Sequence, residues 1–358
     1  MSFSLNEKIR KLTPYDPIAG DYPIRLDANE SFLPIGAAER AALVRAAEEA
    51  NLRRYPDPAA QRLCQAAAAY YDCDPAQLVA WNGTDEALLL LSGAFLGRGT
   101  ALLCYAQDFS MYHFYAYLSG ADCIKLSKRE DFSIDPDAAV AALREYRPAL
   151  FLFSNPCNPT SLILPKDDVR RLVRAAEDPG TLVALDEAYM DFADASLLDE
   201  VADYDNLVIL RTCSKAPGLA GLRLGFSVAN ETLTQTLRAV KSPYNVGALT
   251  QAVGEAMFRD PARLRTGIAD IRRSKDALAA GLRRLADQMP ARLRVIGSEA
   301  NFVFLTLPDT PAAFEFLKRR GIIVRAFYGS ALRITAGTDA ENAAVLSYLE
   351  QYLTETVL

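Results

Sequence analysis

Lys215 and Asp186 are the two residues whose types and settings point most directly to chemistry. Lys215 is the only lysine between Lys166 and Lys241, and it lies in a loop of small residues after a predicted strand. Lysines are usually solvated, so one in such a crowded loop is a candidate for a lowered pKa and for Schiff-base formation. Asp186 also ends a predicted buried strand, where a carboxylate needs a cationic partner. The alternatives are a surface lysine on a glycine-rich turn and an aspartate that caps a helix or pairs with a structural arginine.

Hydroxyls, a guanidinium and a helix start together suit a phosphate group. Thr212, Ser214 and Arg223 surround the candidate lysine in the sequence, and such donors bind phosphate oxygens. The segment Asn82–Asp85 follows another predicted strand and opens a helix, whose free backbone N–H groups favour an anion. An ordinary N-cap made by the threonine or aspartate of that segment is the alternative. The side chains expected at the phosphate are Thr84, Asp85, Thr212, Ser214 and Arg223.

The segment Ser154–Ser161, with the sequence SNPCNPTS, holds two prolines that make a rigid loop after a predicted strand. Such a loop can position Asn158 as a hydrogen-bond donor, although a simple polar turn is an equally good interpretation. One joint hypothesis accounts for all these parts, an aldehyde cofactor with a phosphate and a protonatable pyridine ring. In it Lys215 forms the Schiff base and Asp186 pairs with the pyridinium. Tyr189 and the loop asparagine contact the phenolic oxygen.

Short apolar runs alternate with helical patterns between residues 78 and 228, which predicts an α/β fold with a mostly parallel sheet. Several runs are apolar on both faces, as strands in a helix-covered sheet are. The helices predicted between them include Asp85–Phe95, Pro136–Tyr146 and Lys166–Ala176. The seven predicted strands are Leu78–Trp81, Ala101–Tyr105, Cys123–Leu126, Ala149–Phe153, Leu182–Leu185, Leu207–Leu210 and Leu224–Val228.

The C-terminal part has a different pattern, with a long helix over Pro261–Met289 and a closing helix over Ala340–Tyr352. Shorter strands are predicted between these helices, which indicates a separate α+β unit. We therefore predict a large cofactor-binding domain of residues 30–250 and a small domain of residues 1–29 and 251–358. The strands predicted in the small domain are Asn301–Leu305, Ile322–Arg325 and Ala331–Ile334.

The composition narrows the function classes further. The 358 residues hold 39 basic and 45 acidic side chains, a net charge of −6 without a basic block, so nucleic-acid and membrane partners are not expected. The single histidine, His113, argues against a zinc site built on several histidines, and no metal is expected. The six cysteines form no C-x-x-C pair, and no signal-peptide pattern is found. We therefore expect reduced thiols and a cytoplasmic location.

Eight short motifs, read in order, resemble those of the fold-type-I pyridoxal-phosphate-dependent aminotransferases, most closely the histidinol-phosphate aminotransferase branch. The resemblance runs from Leu12 to the C-terminal helix. It implies pyridoxal 5'-phosphate as cofactor and a ping-pong transamination in which Lys215 also moves the proton. For this branch the amino donor is L-histidinol phosphate and the acceptor is 2-oxoglutarate. The motifs are LDANES (Leu26–Ser31), RYPDP (Arg54–Pro58), NGTDE (Asn82–Glu86), CNPT (Cys157–Thr160), LDEAYMDF (Leu185–Phe192), RTCSKAPGLAGLRLGF (Arg211–Phe226), KSPYNV (Lys241–Val246) and LRITAGT (Leu332–Thr338).

The resemblance also implies a homodimer with active sites at the subunit interface. Tyr55 would reach the cofactor phosphate of the neighbouring subunit, and Phe109 would stack on the pyridine ring. Arg333 matches the arginine that binds the anionic group of the substrate, as a bidentate guanidinium can. A surface position for Arg325 and simple packing for Tyr15 are the alternatives to substrate contact. The residues expected at the substrate are Tyr15, Asn158, Arg325 and Arg333.

Three positions depart from the pattern of this family. Phe109 stands where tyrosine is frequent, Ser161 where glycine is usual, and Pro217 where an aromatic residue commonly follows the SKA triplet. These departures bear on the substrate rather than on the cofactor. Other activities compatible with the same parts are threonine-phosphate decarboxylation and transamination of aromatic or other amino acids. A non-catalytic phosphate-binding protein is the alternative outside enzymology.

Overall fold

The computed structural model describes residues 4–5, 7–10, 12–14, 18–49 and 53–355. Within these residues the α-helices are α1 Glu7–Arg10, α2 Ala37–Glu49, α3 Gln61–Tyr71, α4 Thr84–Phe95, α5 Met111–Ser119, α6 Pro136–Tyr146, α7 Lys166–Ala175, α8 Glu231–Val240, α9 Ala248–Phe258, α10 Pro261–Gln288, α11 Thr310–Lys318 and α12 Asp339–Glu355. The strands are β1 Ile24–Arg25, β2 Leu78–Trp81, β3 Ala101–Tyr105, β4 Asp122–Leu126, β5 Leu150–Ser154, β6 Leu182–Asp186, β7 Leu207–Thr212, β8 Gly225–Ala229, β9 Arg294–Gly297, β10 Phe302–Thr306, β11 Ile322–Ile323, β12 Arg325–Phe327 and β13 Ala331–Thr335.

A seven-stranded sheet forms the centre of the larger part of the molecule, in the order β2-β8-β7-β6-β5-β3-β4. Strand β8 runs antiparallel to both neighbours, and the other pairs are parallel. Every residue of β5, β6 and β7 is buried, because helices cover both faces of the sheet. The predicted α/β fold with a mostly parallel seven-stranded sheet is confirmed.

Most predicted elements of this sheet agree with the structure within one or two residues. Helix α6 begins at Pro136 as predicted, because the Asp135 side chain accepts two backbone N–H groups of its first turn and proline suits the first helical position. The exceptions lie elsewhere. The predicted strand over Ile322–Arg325 is divided into β11 and β12 at Val324, and the short strands β1 and β9 were not predicted.

A four-stranded antiparallel sheet, in the order β12-β13-β10-β9, forms a second layer that packs with α10, α11 and α12. Its apolar core includes Leu282, Val303 and Leu349 and is distinct from the two apolar clusters on the faces of the large sheet. Strand β1 pairs in parallel with β11, which brings an N-terminal segment to this C-terminal part. Among the described helices, none is long and apolar enough to span a membrane.

Candidate active site

The carboxyl ends of the central strands carry the predicted site residues. Asp186 ends β6 and lies beside Ser154 at the end of β5. Thr212 ends β7, and helix α4 starts at Thr84 directly after β2 and its two-residue turn. Ligands of open α/β sheets bind at this edge, so the sheet topology itself collects residues that are far apart in the sequence.

Asp186 is a buried carboxylate, 5% exposed, held by two hydrogen bonds. The Tyr112 hydroxyl donates to its Oδ2 at 2.8 Å, and the Ala188 N–H donates to its Oδ1 at 3.1 Å. Burial raises the pKa of this carboxyl to about 6, although both hydrogen bonds act in the opposite direction. At this pKa the carboxyl is mostly ionised at neutral pH, and a cation beside it would stabilise the buried charge.

No structural arginine pairs with Asp186 in the described part of the chain. Arg211, the buried guanidinium nearest in sequence on the next strand, pairs with Glu187 at 2.8 Å and with Asp191 at 3.0 Å. Within the described part of the chain Asp186 forms no ion pair, so the structural-arginine alternative is wrong. The buried carboxylate is available to a cationic ring nitrogen of a ligand.

Lys215 lies in the loop after β7, half-buried, and donates from Nζ to the Ala28 carbonyl at 2.9 Å. Burial lowers the pKa of its amine to about 8, and the positive charge of Arg333 lowers it further. An amine with this pKa is partly neutral at physiological pH and can act as a nucleophile. The half-buried position and the lowered pKa favour a reactive amine over the surface-lysine alternative.

The start of α4 lies against the ends of β7 and β8. Gly225 of β8 pairs with Thr212, and a Cβ atom at this glycine would lie 2.9 Å from the Thr84 nitrogen. The Thr212 hydroxyl donates to Ser214 Oγ at 3.1 Å and accepts the N–H of that serine. Two hydroxyls and the first N–H groups of a helix thus share one corner, which is the set of donors that binds phosphate.

Arg223 and Asp85 complete this corner. Arg223 lies 3.3 Å from Asp85 (Nη2 to Oδ2), and a Cβ atom at Gly83 would lie 2.6 Å from the same Nη2 atom. Gly83 has a φ of 81° and is itself the N-cap of α4, a conformation that glycine adopts without strain. The alternative, in which Thr84 or Asp85 is the N-cap, is therefore wrong.

Asn158 and Arg333 are joined directly. Arg333 donates from Nη1 to Asn158 Oδ1 at 2.6 Å and also donates to the Asp27 carbonyl. Its guanidinium lies 5.3 Å from the Phe302 ring centroid and 5.4 Å from that of Phe327. The large sheet and the four-stranded sheet thus each contribute one polar side chain to the same place, and aromatic rings hold the guanidinium in position.

Arg325 of β12 stands directly opposite Arg333 of β13 in the antiparallel register. Side chains of directly paired residues lie on the same face, about 5 Å apart at Cβ, and like charges in this arrangement repel. An anion between the two guanidiniums would relieve that repulsion. This pairing could not be read from the sequence, because the predicted strand Ile322–Arg325 did not include the turn that sets the register.

Tyr189 is buried, and its hydroxyl accepts a hydrogen bond from Asn29 Nδ2 at 2.8 Å. Burial raises the pKa of the Tyr189 hydroxyl. Asn29 and Tyr112 are site residues that the sequence interpretation did not single out. Asn29 lies in the LDANES motif, which was the available signal. Tyr112 lies in a helix rich in aromatic residues, and nothing in that pattern distinguishes it.

Phe109 lies edge-on to Tyr112, with ring centroids 5.6 Å apart, and thus flanks the tyrosine that binds Asp186. Tyr55 lies apart from this group; it is 79% exposed and stacks on Tyr244 at 4.4 Å. Tyr15 lies outside the described residues. The structure therefore brings together the predicted residues at the strand ends, and it leaves Tyr55 at the surface.

Ser161 has a φ of 53°, in the left-handed region that favours glycine. Its buried hydroxyl donates to the Phe302 carbonyl at 3.0 Å and accepts the Ala300 N–H at 2.8 Å. These bonds, which a glycine could not make, connect the loop after β5 to β10. Nothing in the described structure explains Pro217.

The family model for class I and II aminotransferases matches residues 22–349. This chain belongs to that family. The histidinol-phosphate aminotransferase of Clostridium novyi is 34% identical over 346 residues, covering 96% of this chain and 95% of the relative. The enzyme of the same name from Chromobacterium violaceum is 36% identical over 352 residues, with 96% of each chain covered.

Two solved structures share the fold of this aminotransferase. Histidinol-phosphate aminotransferase from Sinorhizobium meliloti, in complex with pyridoxal-5'-phosphate, has a TM-score of 0.86 at 22% identity, over 99% of this chain and 98% of that one. Aspartate aminotransferase from Thermus thermophilus, with maleate, has a TM-score of 0.83 at 19% identity, over 98% of this chain and 100% of that one.

This protein is a pyridoxal-phosphate-dependent aminotransferase, and its residues fit the cofactor. Among the described residues no cation pairs with the buried carboxylate of Asp186, burial lowers the pKa of the Lys215 amine, and the start of α4 offers phosphate donors. When bound, the cofactor supplies a ring that takes up the negative charge left when a proton leaves the substrate carbon. The family implies an amino compound and a 2-oxo acid as substrates.

We expect attachment of pyridoxal phosphate to the apoenzyme to depend on pH through Lys215. Only the neutral amine attacks, and with a pKa of about 8 its fraction rises about tenfold per pH unit below 8 and levels off above it. Stopped-flow absorbance from pH 6 to 10 should follow this curve, with a free lysine derivative as the control. A rate that still rises about tenfold per pH unit up to pH 10, as expected for the ordinary lysine pKa of 10.5, would contradict the lowered pKa.

Proposed function

We propose that this enzyme transfers the amino group of L-histidinol phosphate to 2-oxoglutarate in histidine biosynthesis. The pairing of Arg325 with Arg333 carries the proposal, because two guanidiniums on one face suit a phosphate in one half-reaction and a carboxylate in the other. The activity named for the Clostridium novyi and Chromobacterium violaceum relatives, which align over nearly their whole length, supports the same substrate.

We propose the following roles for the site residues. Lys215 would hold the cofactor and move the proton from the substrate carbon. Asp186 would keep a positive charge on the ring nitrogen, and Phe109 would stack on the ring. Asn158 and Tyr189 would bind the phenolic oxygen. The residues proposed for the cofactor phosphate are Thr84, Asp85, Thr212, Ser214 and Arg223, together with Tyr55 of a second copy; those proposed for the substrate anion are Tyr15, Asn158, Arg325 and Arg333.

A panel of amino donors tests the substrate. We expect histidinol phosphate to give the highest kcat/KM with 2-oxoglutarate, well above histidinol, aromatic amino acids and threonine phosphate. Nitrogen-15 from the donor should appear in glutamate, without release of carbon dioxide. Carbon dioxide from threonine phosphate would instead support the decarboxylase, and a preference for aromatic amino acids would support the aromatic aminotransferase.

Replacement of Arg325 by alanine should raise the KM for histidinol phosphate by about 10–100-fold, the loss expected for a charged hydrogen bond worth about 1.5–3 kcal/mol. The KM for histidinol, which lacks the phosphate, should change by less than threefold. Arg319→Ala, on an exposed position after α11, is the matched control. Equal losses for both donors would show that Arg325 does not bind the phosphate.

We infer that the enzyme is a homodimer in which Tyr55 completes the neighbouring site. The exposed stack of Tyr55 on Tyr244 supports this, because a large aromatic surface open to solvent is typical of an interface. Light scattering should give twice the chain mass of 39.2 kDa. Mixing Lys215→Ala chains with Tyr55→Ala chains should then restore activity, because one site of each mixed dimer keeps both residues; no gain would contradict the shared site.

We infer two further properties from the described residues. The separate apolar cores of the two sheets support two domains, for which residues 30–250 and residues 1–29 with 251–358 were predicted; because Val253, Met257, Phe258 and Leu264 belong to the core of the large sheet, we place α9 and the start of α10 in the large domain. Hydrogen exchange should then show two groups of protected amides, and a single group would contradict the division.

The six cysteines are all free thiols, which supports a cytoplasmic location; recovery in another cell fraction would contradict it.

A further inference from the structure

Asp108 is a buried carboxylate outside the predicted site, and it binds two elements of that site at once. The Phe109 N–H donates to its Oδ1 at 2.8 Å, so Asp108 fixes the backbone of the residue proposed to lie against the cofactor ring. The Ser154 N–H donates to its Oδ2 at 3.1 Å, and the Ser154 hydroxyl donates to its Oδ1. Both Asp108 and Ser154 are buried, so these bonds are shielded from water.

Ser154 extends this arrangement to the substrate side. Its Oγ accepts the backbone N–H of Asn158 at 3.1 Å, and Asn158 Oδ1 accepts from Arg333 at 2.6 Å. A continuous series of hydrogen bonds therefore runs from Asp108 through the end of β5 to the arginine proposed for the substrate anion. The hydroxyl of Ser154 thus donates to the aspartate and accepts from the asparagine N–H.

Lys128 supplies a positive charge that acts on Asp108. Burial raises the pKa of this carboxyl, and the positive charge of Lys128 is the largest influence that lowers it. Lys128 is also buried, and its Nζ lies 2.8 Å from Cys157 Sγ in the same loop as Asn158. Without such a cation the pKa of the buried carboxyl would lie higher still, and a carboxyl that becomes protonated accepts fewer hydrogen bonds.

We propose that Asp108 is a positioning residue, which acts through Ser154 and the Phe109 backbone to hold Asn158 and the ring-stacking aromatic against the cofactor. The proposal rests on the cofactor-binding role proposed above for Asn158. An ionised carboxylate can accept all three donors, whereas an amide presents an N–H₂ group to at least one of them. With an amide in place of the Asp108 carboxylate, the loop after β5 would lose its fixed position. Asn158 and Arg333 would then lose their alignment.

Release of the cofactor from the loaded enzyme tests the proposal without turnover. Asp108→Asn and Ser154→Ala should each release pyridoxal phosphate about tenfold faster, which corresponds to one buried hydrogen bond. The circular dichroism band of the bound cofactor should weaken, because it reports the orientation of the ring. The double variant should release the cofactor no faster than the faster of the two single variants, since both substitutions break the same connection. Lys128→Met should resemble Asp108→Asn.

Two controls separate positioning from general stability. Asp135→Asn removes a carboxylate that also accepts two backbone N–H groups, at the start of α6; it should lower the melting temperature and leave cofactor release unchanged. Asn158→Ala tests the underlying role, and unchanged release in that variant would refute the role of Asn158 itself.

If Asn158→Ala accelerates release but Ser154→Ala does not, the positioning role of Asp108 is overturned. Equal acceleration by Asp108→Asn and Asp135→Asn would overturn it too. Ser154→Ala keeps every charge and removes one oxygen atom. Its rate of cofactor release therefore tests the proposal even where Asp108→Asn does not fold.

Discussion

Replacement of Lys215 by alanine is expected to lower kcat by at least about 10⁴-fold, because the same amine attaches the cofactor and moves the proton. Transamination between glutamate and a 2-oxo acid would be measured on protein supplied with excess pyridoxal phosphate. Borohydride reduction followed by intact mass should add the cofactor to the natural chain and nothing to Lys215→Ala.

Lys166→Ala is the matched control, because Lys166 pairs with Asp199 and Glu200 and with no residue proposed for the site. We expect this variant to keep natural kcat and the covalent mass gain. Full activity of Lys215→Ala, or a mass gain in that variant after reduction, would end the assignment of Lys215 as the attachment site.

Asp186→Asn is expected to lower kcat by about 10²–10³-fold. The asparagine has nearly the same shape, but it cannot hold a positive charge on the ring nitrogen, and loss of one partner of a buried pair costs about 3–5 kcal/mol. Asp186→Glu keeps the charge and should recover part of the rate. A natural kcat in Asp186→Asn would show that the ring nitrogen does not depend on this carboxylate.

Tyr112→Phe is expected to lower kcat less than Asp186→Asn does. It leaves the carboxylate and removes one hydrogen bond that lowers the pKa of Asp186, so the rate should fall only about tenfold. The pKa of Asp186 should rise in this variant. The acid side of the kcat–pH profile should therefore move to higher pH, because a carboxyl with a raised pKa becomes protonated sooner as the pH falls. An unchanged profile would mean that Asp186 is not the group that titrates.

The fold was largely predictable because its strands carry a strong local signal. Strands buried on both faces read as continuous apolar runs, as over Leu182–Asp186, and their alternation with helices leaves few topologies. The short strands β1 and β9 were not predicted, because two to four residues at an edge have no distinctive period. The division at Val324 depends on a register between β12 and β13 that no local pattern encodes.

The sequence by itself determined the types of the chemical groups and the strand after which each stands. Lys215, Asp186, Asn158 and the hydroxyls near Thr212 could be named from residue type, small neighbours and motif order. Their meeting at one edge follows from the parallel sheet, because parallel strands present their carboxyl ends together. The identity of these groups and their common edge of the sheet therefore follow from local chemistry and one topological rule.

Only the tertiary structure decided which partners each group has. It gave Asp186 a tyrosine hydroxyl in place of an arginine, opposed Arg325 to Arg333, and connected Asp108 to Asn158 through Ser154. The physical reason is that pKa values and hydrogen bonds depend on burial and on distances of a few ångströms. Those distances are set by side chains from elements widely separated in the sequence, and no spacing along the chain records them.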